Sequence, residues 1–228
     1  MAQSILQKLL AADDWDCFAP LMDRVSKWEH WPLFLEKLES LNREALYVSP
    51  VHGEGHIERA LLHGAFCAME DGLDAEDTAL LLEACSYHDV GRVNDWLDDE
   101  HGHRSSLRLA ELTGRTGEEL VMLRAAVDAH SRKDSLLEET LRSYAPADFP
   151  RALRLAQLLK DADGLDRVRI NDLKTSFLRR EASRDRADFA LYLYGCYQRE
   201  LALTRPFAGS RVPNFNFLPV IPENEGES

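Results

Sequence analysis

The stretch SYHDVGR, residues 86–92, sets His88 and Asp89 side by side at the end of an apolar run. Leu81 and Cys85 precede His88 by seven and three positions, so on a helix the three share one face. That face should point inward, where an imidazole and a carboxylate need partners. Neighbours on a helix point about 100° apart. The doublet can therefore serve one ion, or bridge two, only if it occupies the helix's last turn. Gly91 is expected to end that helix in a left-handed cap, with Asp89 as the bridging carboxylate. A doublet lying mid-helix with Asp89 in solvent would defeat this reading. The same pattern recurs further out. His130 follows Leu120, Leu123 and Val127 at helical spacings, and Asp163 in KDADGLDRVR follows Ala156 and Leu159. A carboxylate on an apolar stripe has a high desolvation cost unless it is paired or bound to metal. With His56 in HIERA, these residues form an ordered series of imidazoles and carboxylates on helices that must pack together. Neutral imidazole nitrogen with carboxylate oxygen is the ligand set of a divalent transition metal such as Fe, Mn, Co, Ni or Zn.

Over about residues 50–170 the series resembles the HD-domain superfamily of metal-dependent phosphohydrolases. His56, with Arg59 three positions on, matches the family's first histidine. His88 and Asp89 match the doublet, followed by VGR, and Asp163 matches the closing aspartate. His101 in HGHRSS and His130 in DAHSRKD fall where two-metal members carry extra histidines, and HGHRSS favours His101 over His103. The resemblance implies a ligand set of His56, His88, Asp89, His101, His130 and Asp163 for one or two divalent ions. Asp89, His101 and His130 would be the residues nearest the reaction; in a one-metal site, His101 or His130 would contact phosphate instead. It also implies hydrolysis of a small phosphate ester, with nucleotides among the candidate substrates, by a metal-activated water. Some relatives of this fold use two irons for oxygenation, and a non-catalytic metal- or ligand-binding protein is the third reading.

The other histidines have plainer readings. His52, four before His56 but separated from it by Gly53, either contacts substrate or caps a loop. His30 is expected at the surface among Trp28 and Trp31, His63 in a structural role, and Asp161 in a salt bridge, or in place of Asp163 if the register shifts. Arg92, Arg104, Arg132, Lys133 and Arg167 flank the candidate ligands. A guanidinium beside a dication matches phosphate oxygens in a bidentate manner, and Arg92 and Arg132 are the expected substrate contacts.

Composition narrows the class. A 228-residue chain with 45% hydrophobic and 29% charged residues fits a folded domain with one good core. The net charge of −13 would repel a nucleic-acid backbone, although a dication and local arginines can reverse the field in one cleft. No apolar run approaches the roughly 18 residues needed to span a bilayer, and MAQSILQKLLAADDWD lacks the features of a signal peptide. The four cysteines lack CxxC spacing and read as reduced thiols of a cytoplasmic protein. Walker, GxGxxG, HExxH and GxSxG motifs are missing.

Strand signals are nearly absent and helical periodicity is pervasive, so the expected fold is all-α. We expect a helical extension over 1–49, with helices at 2–11 and 17–46 marked by Pro20 and Pro32. An HD-type helical bundle domain over 50–205 follows, and an irregular tail over 206–228. Within the bundle, helices are expected at about 56–71, 75–90 (N-capped by Asp74), 104–113, 117–131, 150–163 and 184–204. Residues 92–103 and 143–150 are expected as loops. The N-terminal helices and the NFNFLPV segment would line or lid the cleft, or pack a homodimer.

Overall fold

The computed structural model describes residues 3–204; the expected tail lies outside the described residues. Among these there are eleven α-helices and no strand, so the protein is all-α. Three short helices open the chain: α1 (Ile5–Ala12), α2 (Ala19–Ser26) and α3 (Trp31–Ser40). Pro20 and Pro32 lie in the first turns of α2 and α3, where the missing N–H would be unpaired in any case. Leu6, Val25, Phe34 and Leu38 from these helices join the same hydrophobic core as the rest of the chain.

The bundle is built on α4 (Glu54–Glu70), buried at every residue from His56 to Ala68. A helix buried all round has no solvent face for its polar side chains, so Glu58, Arg59 and His63 must find partners inside. Around it run α5 (Ala75–Tyr87), α6 (His101–Thr113), α7 (Gly117–His130), the short α8 (Leu137–Ser143) and α9 (Phe149–Leu165). Helix α4 packs on α5 and α9, and α7 packs on α6 and α9. A one-turn α10 (Glu181–Arg184) leads into α11 (Ala187–Thr204), which lies against α1 and α4. Asp74 caps α5 as expected, its side chain accepting from Asp77 N–H at 2.9 Å.

Two expectations are corrected, and one helix was not expected. Gly91 does not adopt a left-handed cap; among the described residues the glycines with positive φ are Gly72, Gly114 and Gly117. Helix α5 ends earlier, at Tyr87, and Gly91 is needed for close approach: a Cβ there would stand 2.4 Å from Ser105 N and 2.7 Å from the Arg104 carbonyl carbon. The stretch 92–103 is not all loop, because α6 already begins at His101. The region before 143 contains α8, whose apolar face consists only of Leu137 and Leu141, too few for a visible period.

Candidate metal centre

The six expected ligands come from five helix termini gathered at one end of the bundle. His56 lies in the first turn of α4 and His101 opens α6; His130 closes α7 and Asp163 is in the last turn of α9. His88 caps the C-terminal end of α5, and Asp89 follows it, both almost completely buried. The doublet is therefore beyond the regular helix, where its two side chains can splay.

Each imidazole is oriented by its Nδ1. In His88 this atom donates to Cys85 O at 2.9 Å. In His101 and His130 it donates to the carbonyls of Asp98 and Val127. A carbonyl only accepts, so these three rings carry their proton on Nδ1 and present a bare lone pair on Nε2. His56 differs: its Nδ1 lies 2.8 Å from Asp166 Oδ2, a buried carboxylate. Asp166 is in turn gripped by Arg59, with Nε to Oδ1 at 2.6 Å and Nη2 to Oδ2 at 2.9 Å. The Arg59 guanidinium also lies over the rings of Tyr194 and Tyr197.

The bare nitrogens face one another in two pairs. His56 Nε2 and His88 Nε2 are 3.0 Å apart, as are His101 Nε2 and His130 Nε2. Asp89 lies between the pairs and offers one oxygen to each. Its Oδ2 is 3.6 Å from His56 Nε2 and 3.9 Å from His88 Nε2. Its Oδ1 is 3.0 Å from His101 Nε2 and 3.7 Å from His130 Nε2. Asp163 Oδ1 completes the first set at 3.3 Å from His56 Nε2 and 3.8 Å from His88 Nε2.

Without a cation this arrangement is unfavourable. Facing lone pairs repel, and a shared proton would place an imidazolium in a site from which burial expels charge: burial lowers the His88 pKa to about 3 and lowers that of His130 as well. Asp89 Oδ1 is buried and makes no hydrogen bond among the described residues. Although burial opposes ionisation, the Asp89 and Asp163 carboxyls are held well below the usual range, Asp89 beside His52 and Asp163 beside Arg169, so both offer charged oxygens. Buried His and Asp groups within ligand distance of one another can hold a metal ion.

The remaining expected residues are placed as follows. His52 is buried, with Nδ1 3.1 Å from Asp89 Oδ2. Arg92 puts Nε 3.0 Å from Asp89 Oδ1. The Arg132 guanidinium is instead engaged by Glu100 at 2.6 Å and Asp128 at 3.4 Å. His103 bonds Asp128 at 3.0 Å rather than joining the cluster. Asp161 accepts from the backbone N–H groups of Arg179 and Arg180 and from the Arg179 side chain, a purely structural anchorage. His63 is fully buried against Phe189. His30 is largely covered, edge-on to Trp28, rather than a free surface residue.

Sequence reasoning missed three residues. Asp166 had a readable signal, since it lies one helical turn after Asp163. Lys160 and Arg169 did not, because their partners are remote in sequence. Buried Lys160 donates to the carbonyls of Ala129, His130 and Arg132, tying the His130 end of α7 to the helix that bears Asp163. Arg169, in the 3-10 turn Asp166–Ile170, donates Nε–H to Val51 O at 3.0 Å and reaches His52 with Nη2.

Fold and site thus define an all-α protein with a buried His/Asp centre able to hold metal. No protein-family model, curated protein or solved structure matches the chain. No helix among the described residues is long and apolar enough to cross a membrane.

Proposed function

We propose that the protein is a metal-dependent phosphohydrolase acting on a small phosphate ester, in the manner of the HD-domain superfamily that its sequence resembles. The observation that supports this best is the division of Asp89 between two pairs of facing imidazole nitrogens. His56, His88, Asp163 and Asp89 would hold one divalent ion. His101, His130 and Asp89 would hold a second. Bound there, such ions supply Lewis acidity toward a phosphoryl oxygen and a water that deprotonates near neutral pH.

The chain's own residues do the rest. Asp166 and the three backbone carbonyls fix the ring tautomers, so every Nε2 is ready to ligate without prior proton loss. Helix ends hold the six ligands in place before substrate arrives, which lowers the cost of assembling the site. Arg92 sits beside Asp89, where it can balance negative charge on the substrate.

The test pairs elemental analysis with activity. Wild-type protein and Asp89→Ala are purified without added metal, and phosphate release from a panel of phosphate esters is followed with and without oxygen. About two ions per chain, lost in the variant, with oxygen-independent phosphate release, is the expected result. No metal even after loading would overturn the reading. Turnover that requires oxygen and reduced iron would replace it with the oxygenase class.

A further inference from the structure

Two buried guanidiniums beside the cluster carry N–H groups that the fold leaves unused. The Arg169 side chain is only 5% exposed, yet its Nη1 has no hydrogen-bond partner among the described residues. Asp166 Oδ2 stands off at 3.7 Å from Nη1, and Asp163 Oδ1 at 3.9 Å from Nη2. Arg92 Nε is likewise buried without a hydrogen bond, despite lying 3.0 Å from Asp89 Oδ1. An unpaired N–H in such a place is costly, and a guanidinium more so.

His52, between them, sharpens the point. Its Nδ1 is 3.1 Å from Arg169 Nη2 and also 3.1 Å from Asp89 Oδ2. One ring nitrogen cannot accept from the guanidinium and donate to the carboxylate at once. If His52 donates to Asp89, Arg169 Nη2 loses its acceptor there. Arg169 is then held mainly by Val51 O through Nε, with both terminal nitrogens free for another acceptor.

Charge says which acceptor. The carboxylates of Asp89, Asp163 and Asp166 are matched one for one by the guanidiniums of Arg92, Arg169 and Arg59. Any divalent cation bound at the cluster therefore leaves net positive charge, which a dianion would offset. Asp163, next to Arg169, is the ligand with an open side: its side chain is 22% exposed, while the other five are at most 7%. Solvent touches the cluster at Asp163, which Arg169 flanks at 3.9 Å.

We propose that Arg169, together with His52 and Arg92, forms an oxyanion subsite that takes the phosphoryl group of a phosphate monoester dianion next to the metal ligands. The fork geometry of Arg169 suits two oxygens of a tetrahedral oxyanion. This inference rests on the metal-dependent reading above, and its test separates the two.

The full-length chain, loaded with Mn²⁺, is compared as wild type, Arg169→Gln and Arg169→Lys. Metal affinity is measured first by competition with a chelator, then inorganic phosphate is titrated calorimetrically, with acetate as a comparator. Arg169→Gln is expected to weaken phosphate binding about 10-fold to 100-fold, the range of hydrogen bonds to a charged group. Its metal affinity should be unchanged or tighter, because a neighbouring positive charge is gone. Arg169→Lys, which keeps the charge and loses the fork, should fall between. Phosphate binding equal to wild type in Arg169→Gln overturns the subsite; if that variant does not fold, equality in Arg169→Lys does so. Wild type that holds metal but no phosphate, or holds acetate as tightly, also overturns it. Wild type that takes up no metal instead refutes the functional reading on which the subsite rests.

Discussion

Replacing Asp166 by Asn tests whether the centre depends on a residue that touches no ion. The carboxylate accepts three hydrogen bonds, two from Arg59 and one from His56 Nδ1. Asparagine keeps the shape, but one of its two terminal atoms becomes a donor facing donors. Two effects follow. Arg59, almost fully buried, loses the charge of its partner; breaking a buried pair from one side costs about 3–5 kcal/mol. That is a large part of the roughly 5–15 kcal/mol that holds a domain folded, and stacking over Tyr194 and Tyr197 offsets only a fraction of it. The second effect is chemical. An amide N–H against His56 Nδ1 drives the ring proton to Nε2, the atom needed for ligation, and such orienting partners typically govern metal affinity about 10-fold to 100-fold. The loss should fall on the ion assigned to His56 and His88, and spare that assigned to His101 and His130. Ion pairing with Arg59 and bonding to His56 outweigh burial and hold the Asp166 carboxyl below its ordinary range. Its stabilisation is complete above about pH 4 and is lost only as pH falls through the depressed value. The stability deficit of the variant should hence be constant between pH 5 and 8. Urea unfolding of the metal-free protein at several pH values, and chelator competition for each ion, supply the measurements. Equal weakening of both ions, or of neither, would refute the argument that Asp166 acts through His56.

Three further outcomes are expected. His101→Ala, made to leave the His56 pair intact, should retain about one ion per chain by elemental analysis; loss of both would mean that the two sets do not exist separately. His63→Leu should protect the metal-free protein against acid. Burial lowers the His63 pKa to about 4, so the unfolded chain takes up a proton below about pH 6.5 that the folded chain refuses, and wild-type stability falls as pH drops from 6.5 to 4. The stability difference between variant and wild type should grow by about 3 kcal/mol over that window, and a difference that stays flat in denaturant titrations would contradict it. Gly91→Ala should destabilise by about 1–3 kcal/mol and lower metal content, because its methyl group meets backbone of α6 and pushes the doublet away from His101; an unperturbed melt would show that the turn yields freely.

The sequence made His88, His130 and Asp163 legible as candidate ligands because each obeys a local rule, whereas His56 and His101 were marked only by the family resemblance. A polar residue at helical spacing from Leu or Val, such as His130 after Val127 or Asp163 after Leu159, advertises an inward direction without any knowledge of the fold. The doublet's position at a helix end was readable for the same reason, since adjacent residues cannot converge inside a helix. The means of termination was not readable. Gly91 looks like a left-handed cap in sequence, whereas its missing Cβ serves a contact with Ser105 and Arg104, fourteen and thirteen residues away. Contacts of that kind also hid the supporting residues. Arg132 and Arg169 are indistinguishable as sequence neighbours of candidate ligands, but one is met by Glu100 and the other by Val51 and His52. Which arginine serves the centre is decided by long-range packing, so flanking charge alone could not choose between them.

Gathering the ligands at helix termini has an electrostatic consequence that bears on how this centre would favour a cation. Helices α5, α7 and α9 present their C-terminal ends to the cluster, through His88, His130 and Asp163, and α4 and α6 present their N-terminal ends through His56 and His101. A C-terminus carries roughly half a negative charge and an N-terminus the opposite. The three ends that favour a cation outnumber the two that oppose it. One opposing end is quenched, because the Asp166 carboxylate meets His56 at the start of α4, whereas Lys160 binds the free carbonyls of α7 and moderates one of the favouring dipoles while fixing His130. The set holding His56 thus has two carboxylates and an acidic orienting partner, whereas the His101 set has one carboxylate and backbone partners alone. The first set should bind its ion more tightly, so that progressive chelation removes the ion at His101 and His130 first.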